Sequence, residues 1–363
     1  MHRRDFLRPR RLAQTAGHVL GALDELAALA EPEPQPADDV ALLRVGRRAM
    51  ATQFEVVLPY GTPDALEIAA AAHDLIDQLE AQLTVYRDDS EVSRLNRLAP
   101  LGPVPVERGL FDLLATAARL TGETGGAFDV AAGALVKAWG FYRGPRRVPA
   151  AEELAAAMAK AGMRHVELNP DARTVKFRVP GLEINLGSIG KGYALDRVND
   201  LLGAWNLPAA LLHGGYSSVY ARGSLPNEAN GWPVTIAHPW EPGRRLARLW
   251  LRDRALGTSA ATFQHLEHEG RKLGHVLDPR TGWPASGVAS ASVVAPTGAE
   301  ADALSTAFFV LGVEAARRYC ETHPGVGAVL LPEGEDLPVV MGLTRDECDL
   351  SPLAPGAGER GRG

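Results

Sequence analysis

Asn185-Leu-Gly-Ser-Ile-Gly-Lys-Gly192 follows an apolar stretch that reads as a strand, and it opens a helix predicted over 191–202. Gly187, Gly190 and Gly192 allow backbone N–H groups to come close to a ligand, and a helix N-terminus with a lysine beside it is a ready anion site. The spacing is not that of a Walker loop, and no Ser or Thr follows Lys191. A glycine-rich turn of this kind can equally be plain scaffold.

Outward from this turn, strands and helices follow one another without regular alternation. Toward the C-terminus, strands are predicted at 209–213, 233–237, 246–251, 291–295 and 326–331, with helices near 299–311 and 314–321. Toward the N-terminus, 165–169 and 174–179 alternate as strands, and Asn169-Pro170-Asp171 between them turns a hairpin. Helices are predicted over 110–121, stopping at Gly122, and over 152–161, capped by Gly162. A strand at 54–58 precedes a helix opened by Thr62 as N-cap and Pro63 as first residue. Leu66, Ala69, His73, Ile76, Leu79 and Leu83 give that helix one buried face. The pattern predicts an α+β fold, mixed sheets with packed helices, rather than a doubly wound sheet. No internal repeat is present.

The folded part is expected to span 40–350. Met1-His-Arg-Arg-Asp-Phe-Leu7 resembles a twin-arginine export signal, but His18, Asp24 and Glu25 break the apolar core that should follow. A basic leader helix is the alternative. Glu31-Pro-Glu-Pro-Gln-Pro-Ala37 reads as an extended linker. Residues 351–363 are Pro/Gly-rich and polar, and are expected to be a disordered tail.

Composition narrows the function. The 363 residues are 46% hydrophobic and 23% charged, as in ordinary soluble domains, and the formal net charge is −6. No basic stripe lies beyond the first dozen residues, which argues against nucleic acid as a partner. No apolar run reaches the roughly 18 residues of a spanning helix, so no integral membrane segment is expected. Cys320 and Cys348 form no CxxC pair, which disfavours a zinc site or redox dithiol. A disulfide between them is open.

Three further segments carry chemistry. In Glu300-Ala-Asp-Ala-Leu-Ser-Thr306, Asp302 and Thr306 stand four apart on one helical face, where a carboxylate and a hydroxyl could share one hard cation. A solvent-facing acid and an ordinary threonine give the same spacing. In Gly274-His-Val-Leu-Asp-Pro-Arg-Thr-Gly282, a short strand carries His275 and Asp278 into a turn, and histidine is the natural general base near neutrality. Gly125-Gly-Ala-Phe-Asp129 leads glycines into an aromatic residue and an acid, with Asp129 free to cap the next helix. An unrelated metal site built from His265, His268, Glu269 and His275 is the outlying alternative, with His265 and His268 on one helix but without an HExxH pattern.

Together these segments resemble the ApbE family, the FAD:protein FMN transferases. The resemblance runs from about Met50 to Leu331. It is carried by Met50-Ala-Thr-Gln-Phe54, Leu83-Thr-Val-Tyr-Arg-Asp-Asp-Ser-Glu-Val-Ser-Arg-Leu-Asn96, Gly126-Ala-Phe-Asp129, Leu186-Gly-Ser-Ile-Gly-Lys-Gly192, His213-Gly-Gly215, the His275–Gly282 motif and the Glu300–Thr306 motif, in family order. It implies that FAD lies in a central cleft, that Mg²⁺ sits at its pyrophosphate, and that FMN passes to a Thr or Ser of an acceptor protein with release of AMP. By position, Met50, Tyr86, Ala127, Phe128, Asp129, Asn185 and Val276 would contact FAD, and Lys191 its diphosphate. Asp302, Thr306 and the Ser188 carbonyl would hold Mg²⁺, and His275 would take the acceptor's proton. The resemblance further implies the cell envelope, with the cytoplasm as the alternative given the leader. No segment of this chain matches the acceptor motif, so the flavin-accepting partner is expected to be another protein.

Departures from the family pattern are Asn185 for an aspartate, Tyr216 for an acid after Gly214-Gly215, and Thr258-Ser-Ala-Ala-Thr-Phe263 without the usual Ser-Gly. Asn185 and Tyr216 favour one other reading, a non-catalytic FAD-binding protein. The same site with water as nucleophile gives a second, an FAD pyrophosphatase yielding FMN and AMP.

Overall fold

A computed structural model describes residues 40–142, 145–241, 243–260, 265–268 and 270–350. The leader, linker and tail read from the sequence lie outside the described residues. The strands are β1 (Leu42–Ala49), β2 (Thr52–Pro59), β3 (Val104–Pro105), β4 (Val166–Asn169), β5 (Thr174–Phe177), β6 (Ala210–Gly214), β7 (Ser218–Arg222), β8 (Trp232–Ala237), β9 (Arg245–Leu251), β10 (Arg254–Ala260), β11 (His265–His268), β12 (Arg271–Gly274), β13 (Val288–Ala295), β14 (Gly327–Pro332), β15 (Val339–Met341) and β16 (Cys348–Asp349). The α-helices are α1 (Ala65–Leu83), α2 (Glu91–Leu98), α3 (Arg108–Glu123), α4 (Gly133–Ala138), α5 (Ala151–Lys160), α6 (Gly190–Ala204), α7 (Gly298–Leu311) and α8 (Val313–Thr322).

Eight strands form the main sheet in the order β1-β2-β6-β7-β10-β13-β14-β15, and small sheets β16-β9-β8, β3-β5-β4 and β11-β12 accompany it. The α+β reading holds, and the ladders are antiparallel throughout. Every residue of β13 is buried because both faces of the sheet are covered. Ala291, Val293 and Ala295 point into the core shared with the helices, while Val294 joins a second core beneath β8 and β9. This is the period-two consequence of a strand covered on both sides. Among the described residues, no helix is long and apolar enough to cross a membrane.

Two details of α1 differ from the sequence reading. It begins at Ala65, after Asp64 in a left-handed conformation, because the Thr62 hydroxyl instead donates to Pro59 O at 2.7 Å and closes the preceding turn. Its buried face runs through Ile68, Ala69, Ala72, His73, Ile76, Leu79 and Leu83, whereas Leu66 is 68% exposed. The seam starts one turn later than its periodicity suggested, since Leu66 stands in the first turn and faces outward.

Helix α7 lies against β10 with no room for a side chain between them. A Cβ on Gly257 would fall 2.4 Å from both the carbonyl carbon and oxygen of Ala301 and 2.6 Å from Asp302 N. Gly257→Ala must therefore push backbone from backbone. We expect a loss of about 1–3 kcal/mol or more, seen in thermal unfolding as a midpoint several degrees lower.

Candidate active site

The site is built where α6 and α7 cross. Gly192 and Gly298 face each other so closely that a Cβ on Gly192 would lie 1.9 Å from Gly298 O. That approach lets the Gly192 amide donate to Asp302 Oδ2 at 2.7 Å, while Ser218, at the start of β7, donates its hydroxyl to Asp302 Oδ1 at 2.7 Å. Asp302 is 6% exposed. Burial raises its pKa, opposed by the charge of Lys191, the Ser218 hydroxyl and the Gly192 amide. Thr306, one turn on, donates to Asp302 O at 3.3 Å, and Ser259 of β10 lies within hydrogen-bonding distance of Ser305 (2.9 Å) and Thr306 (3.2 Å). Asp302 and Thr306 thus share one patch held by three elements.

The glycines of the 185–192 turn do a different job from the one read in the sequence. The Gly187 amide donates to Asn185 Oδ1 at 2.9 Å, that of Gly190 to Leu186 O at 2.7 Å, and that of Gly192 to Asp302. These three amides are committed within the protein, so they are not an open anion nest. The glycines serve turn closure and helix contact, and anion attraction falls to the half-buried Lys191. Asn185 makes the same side-chain-to-amide turn an aspartate would make, so its lack of charge leaves the turn intact.

The other motifs converge on this turn. Asn185 N donates to Val130 O at 2.8 Å, which sets Ala127-Phe128-Asp129 beside it. Gly126 in turn lies against Arg280 of the His275–Gly282 segment. Ala127 and Phe128 are sealed in the core at 0% and 1% exposure. Asp129 accepts the Ala131 and Met163 amides at 2.8 and 2.9 Å rather than capping α4, and burial raises its pKa. Neither Ala127 nor Phe128 therefore presents exposed surface, side chain or backbone, to a ligand.

His275 is exposed just after β12 rather than on a strand, and Val276 packs partly against the core. The chain then turns tightly. Gly282 N donates to Asp278 O at 2.8 Å, and Arg280 grips the Asp278 carboxylate at 2.9 and 2.8 Å. Trp139 donates its indole N–H to Gly282 O at 2.8 Å, anchoring the turn on α4. His265 and His268 stand on strand β11, not on a helix, and Glu269 lies outside the described residues. Among the described residues, no group of three or more His, Cys, Asp or Glu could hold a metal, and the alternative metal site lies partly outside them.

Met50 and Ala51 form the two-residue turn between β1 and β2, both with positive φ (48° and 62°). Both central residues of a type I′ hairpin turn need this conformation, which is costly without glycine or asparagine. The turn lies beside the Gly215 backbone, since Gly215 N donates to Gln53 O at 2.8 Å. Tyr86 is half exposed and stacks on Tyr142 at 4.9 Å. Tyr142 also sits 5.2 Å below the Lys137 ammonium, which is paired with Glu183 two residues before Asn185.

His213, on β6, keeps its Nε2 sealed from solvent without a partner among the described residues. Burial, helped by the charge of Arg44, pushes its pKa down to about 4, so the imidazole is neutral at physiological pH. A cavity of about 610 Å³ beside α3 and α6, lined by Glu107, Tyr193, Asp196 and Arg197 among others, contains none of the candidate site residues.

Ser218, Ser259 and Gly298 were missed in the sequence. Ser218 reaches Asp302 across 84 residues, and no local spacing signals such a contact.

The donor set fits a small hard cation. Its oxygens are one carboxylate and neighbouring hydroxyls, and the carboxylate is buried at a cost that only Lys191 and two neutral donors offset. A single protein carboxylate suits an ion completed by substrate phosphates and water, as Mg²⁺ prefers.

These features define an α+β protein built around one buried carboxylate beside a lysine at a helix start. The sequence profile of the ApbE family matches residues 50–330. An FAD:protein FMN transferase of Treponema pallidum is 35% identical over 289 residues, covering 75% of this chain and 80% of its own. Another, from Salmonella typhimurium, is 29% identical over 311 residues, covering 84% and 88%. Among solved structures, the ApbE protein of Thermotoga maritima aligns with a TM-score of 0.75 at 26% identity, over 83% of this chain and 96% of its own. The flavin transferase ApbE of Vibrio cholerae gives 0.73 at 26% identity, over 83% and 97%. This chain belongs to the ApbE family.

Proposed function

We propose that this protein transfers FMN from FAD to a Thr or Ser hydroxyl of an acceptor protein and releases AMP. The observation that carries the reading is the buried Asp302 carboxylate, pinned by Gly192 and Ser218 beside Lys191 and Thr306, within a chain of the flavin transferase family. The acceptor oxygen forms a bond to the FMN phosphorus, the phosphoanhydride bond to AMP breaks, and AMP leaves with the bridging oxygen. Such transfers depend on positioning and charge neutralisation more than on covalent help from the protein.

Lys191 meets the diphosphate as a point charge at the start of α6. Asp302, Thr306 and the Ser188 carbonyl are the residues that would hold Mg²⁺, which when bound would neutralise the pyrophosphate oxygens. His275, exposed at the rim, takes the acceptor's proton at an imidazole nitrogen. Met50, Tyr86, Val276, Asn185 and the 127–129 segment shape the flavin's surroundings.

The test incubates the protein with FAD, Mg²⁺ and a domain carrying the acceptor sequence Asp-Gly-x-Ser/Thr-Gly-Ala-Thr. A fluorescent covalent band in a denaturing gel, with equimolar AMP and loss of both under excess chelator, is the expected result. Free FMN with AMP but no adduct would instead identify a pyrophosphatase. FAD that binds and releases unchanged would mark a carrier and end the proposal.

A further inference from the structure

We propose that Asp196 is a positioning residue for Asp302, holding the crossing of α6 and α7 from the side opposite the Gly192–Asp302 bond. The inference rests on the reading of Asp302 as the site's carboxylate. Asp196 accepts the Gly298 amide at 2.6 Å on Oδ1 and the Ala299 amide at 2.9 Å on Oδ2, the first two N–H groups of α7. Asp302 returns the contact by accepting the Gly192 amide of the first turn of α6 at 2.7 Å. Each helix therefore lends a carboxylate to the other's N-terminal turn. In each case that carboxylate stands four residues beyond the glycine at the contact, Gly192 to Asp196 and Gly298 to Asp302, and so on the same face one turn along.

The reciprocity gives Asp196 a specific task. Helix N-termini carry unpaired amides and partial positive charge, so a carboxylate there is both a cap and a favourable charge. Capping from a neighbouring helix also fixes where α7 sits on α6. With Gly192 and Gly298 in backbone contact, a slip of α7 moves Asp302 directly against the Gly192 amide. Burial raises the Asp196 pKa to about 7, the two amides oppose it, and Asp302 and Asp200 add to it. The protein keeps an acid here at an electrostatic cost that an alanine would not carry.

The test compares wild type, Asp196→Asn and a control, Leu202→Ala, which removes a buried side chain from the far end of α6. Two readouts are taken: hydrogen exchange of the Gly192 amide by NMR, and the Mg²⁺ concentration that half-saturates FAD binding, followed by flavin fluorescence. Asp196→Asn is expected to fold, to exchange at Gly192 at least about tenfold faster, and to need about 10–100-fold more Mg²⁺, the usual cost of losing a residue that orients a metal ligand. Leu202→Ala should lower the melting temperature without either effect. Wild-type values for both readouts in Asp196→Asn would overturn the proposal. Should wild-type FAD binding ignore Mg²⁺, the metal reading of Asp302 fails, and Gly192 exchange alone decides the role of Asp196. If Asp196→Asn does not fold, Asp196→Ser, which keeps an oxygen acceptor without the charge, is measured in its place.

Discussion

Asp302→Ala loses transfer by at least about a thousandfold, while the protein remains folded. Losing one preorganised polar group aimed at developing charge typically costs about 10²–10³ in rate, and here the group is the patch's one carboxylate. Stability is not expected to explain the loss. A carboxylate this buried is opposed by desolvation, which the Lys191 charge, a neutral hydroxyl and an amide offset. Removing the charge relieves that desolvation, which offsets the cost of leaving a buried donor such as the Gly192 amide without its acceptor, about 1–3 kcal/mol.

Asp302→Asn separates the two contributions. It keeps an oxygen for either the Gly192 amide or the Ser218 hydroxyl but lacks the charge. Transfer is expected to fall nearly as far as in the alanine variant, with the melting temperature equal to or above that of wild type in metal-free buffer. Ser218→Ala, which only frees Asp302 Oδ1, is expected to cost about 10–100-fold. The measurements are initial rates of adduct formation with thermal unfolding in parallel. Full activity in Asp302→Asn would remove the carboxylate from the mechanism.

The contrast between Asp302 and Ser218 shows what local sequence can reveal. Asp302 and Thr306 are legible because both lie on one helix, and a fixed rise places residues four apart together. The hairpin of β4 and β5 was legible for a similar reason, as Asn169-Pro170-Asp171 announces its turn. The start of α1 was not, because Thr62 could cap a helix or close a turn, and the preceding Pro59 carbonyl took its hydroxyl. The glycine turn was half legible. Its three glycines signalled close approach, but what approaches is Gly298 of another helix, over a hundred residues away. Asp196 escaped notice because a carboxylate on the seventh position of a helix looks like any solvated acid until the first turn of α7 is set against it.

His275→Ala lowers the rate of transfer by about 10²–10⁴, the usual contribution of a positioned acid or base, and leaves FAD binding nearly unchanged. The histidine is exposed at the edge of a loop already anchored by Arg280–Asp278 and by Trp139–Gly282. Its removal therefore leaves the turn's supports in place, and surface substitutions of that kind usually shift stability by no more than about 0.5 kcal/mol. A large fall in rate with an unchanged melting temperature and unchanged FAD affinity is hard to reconcile with a structural role. His275→Gln sharpens the distinction, since it can still hydrogen-bond an acceptor hydroxyl but cannot take its proton. If His275 only orients the acceptor, glutamine restores most of the activity. If it removes the proton, glutamine stays close to alanine, and added imidazole recovers part of the rate in the alanine variant but not in Asp302→Ala. Transfer by His275→Ala at the wild-type rate would mean that the proton leaves by another route, and the exposed rim of the site would then be a docking edge for the acceptor rather than its base.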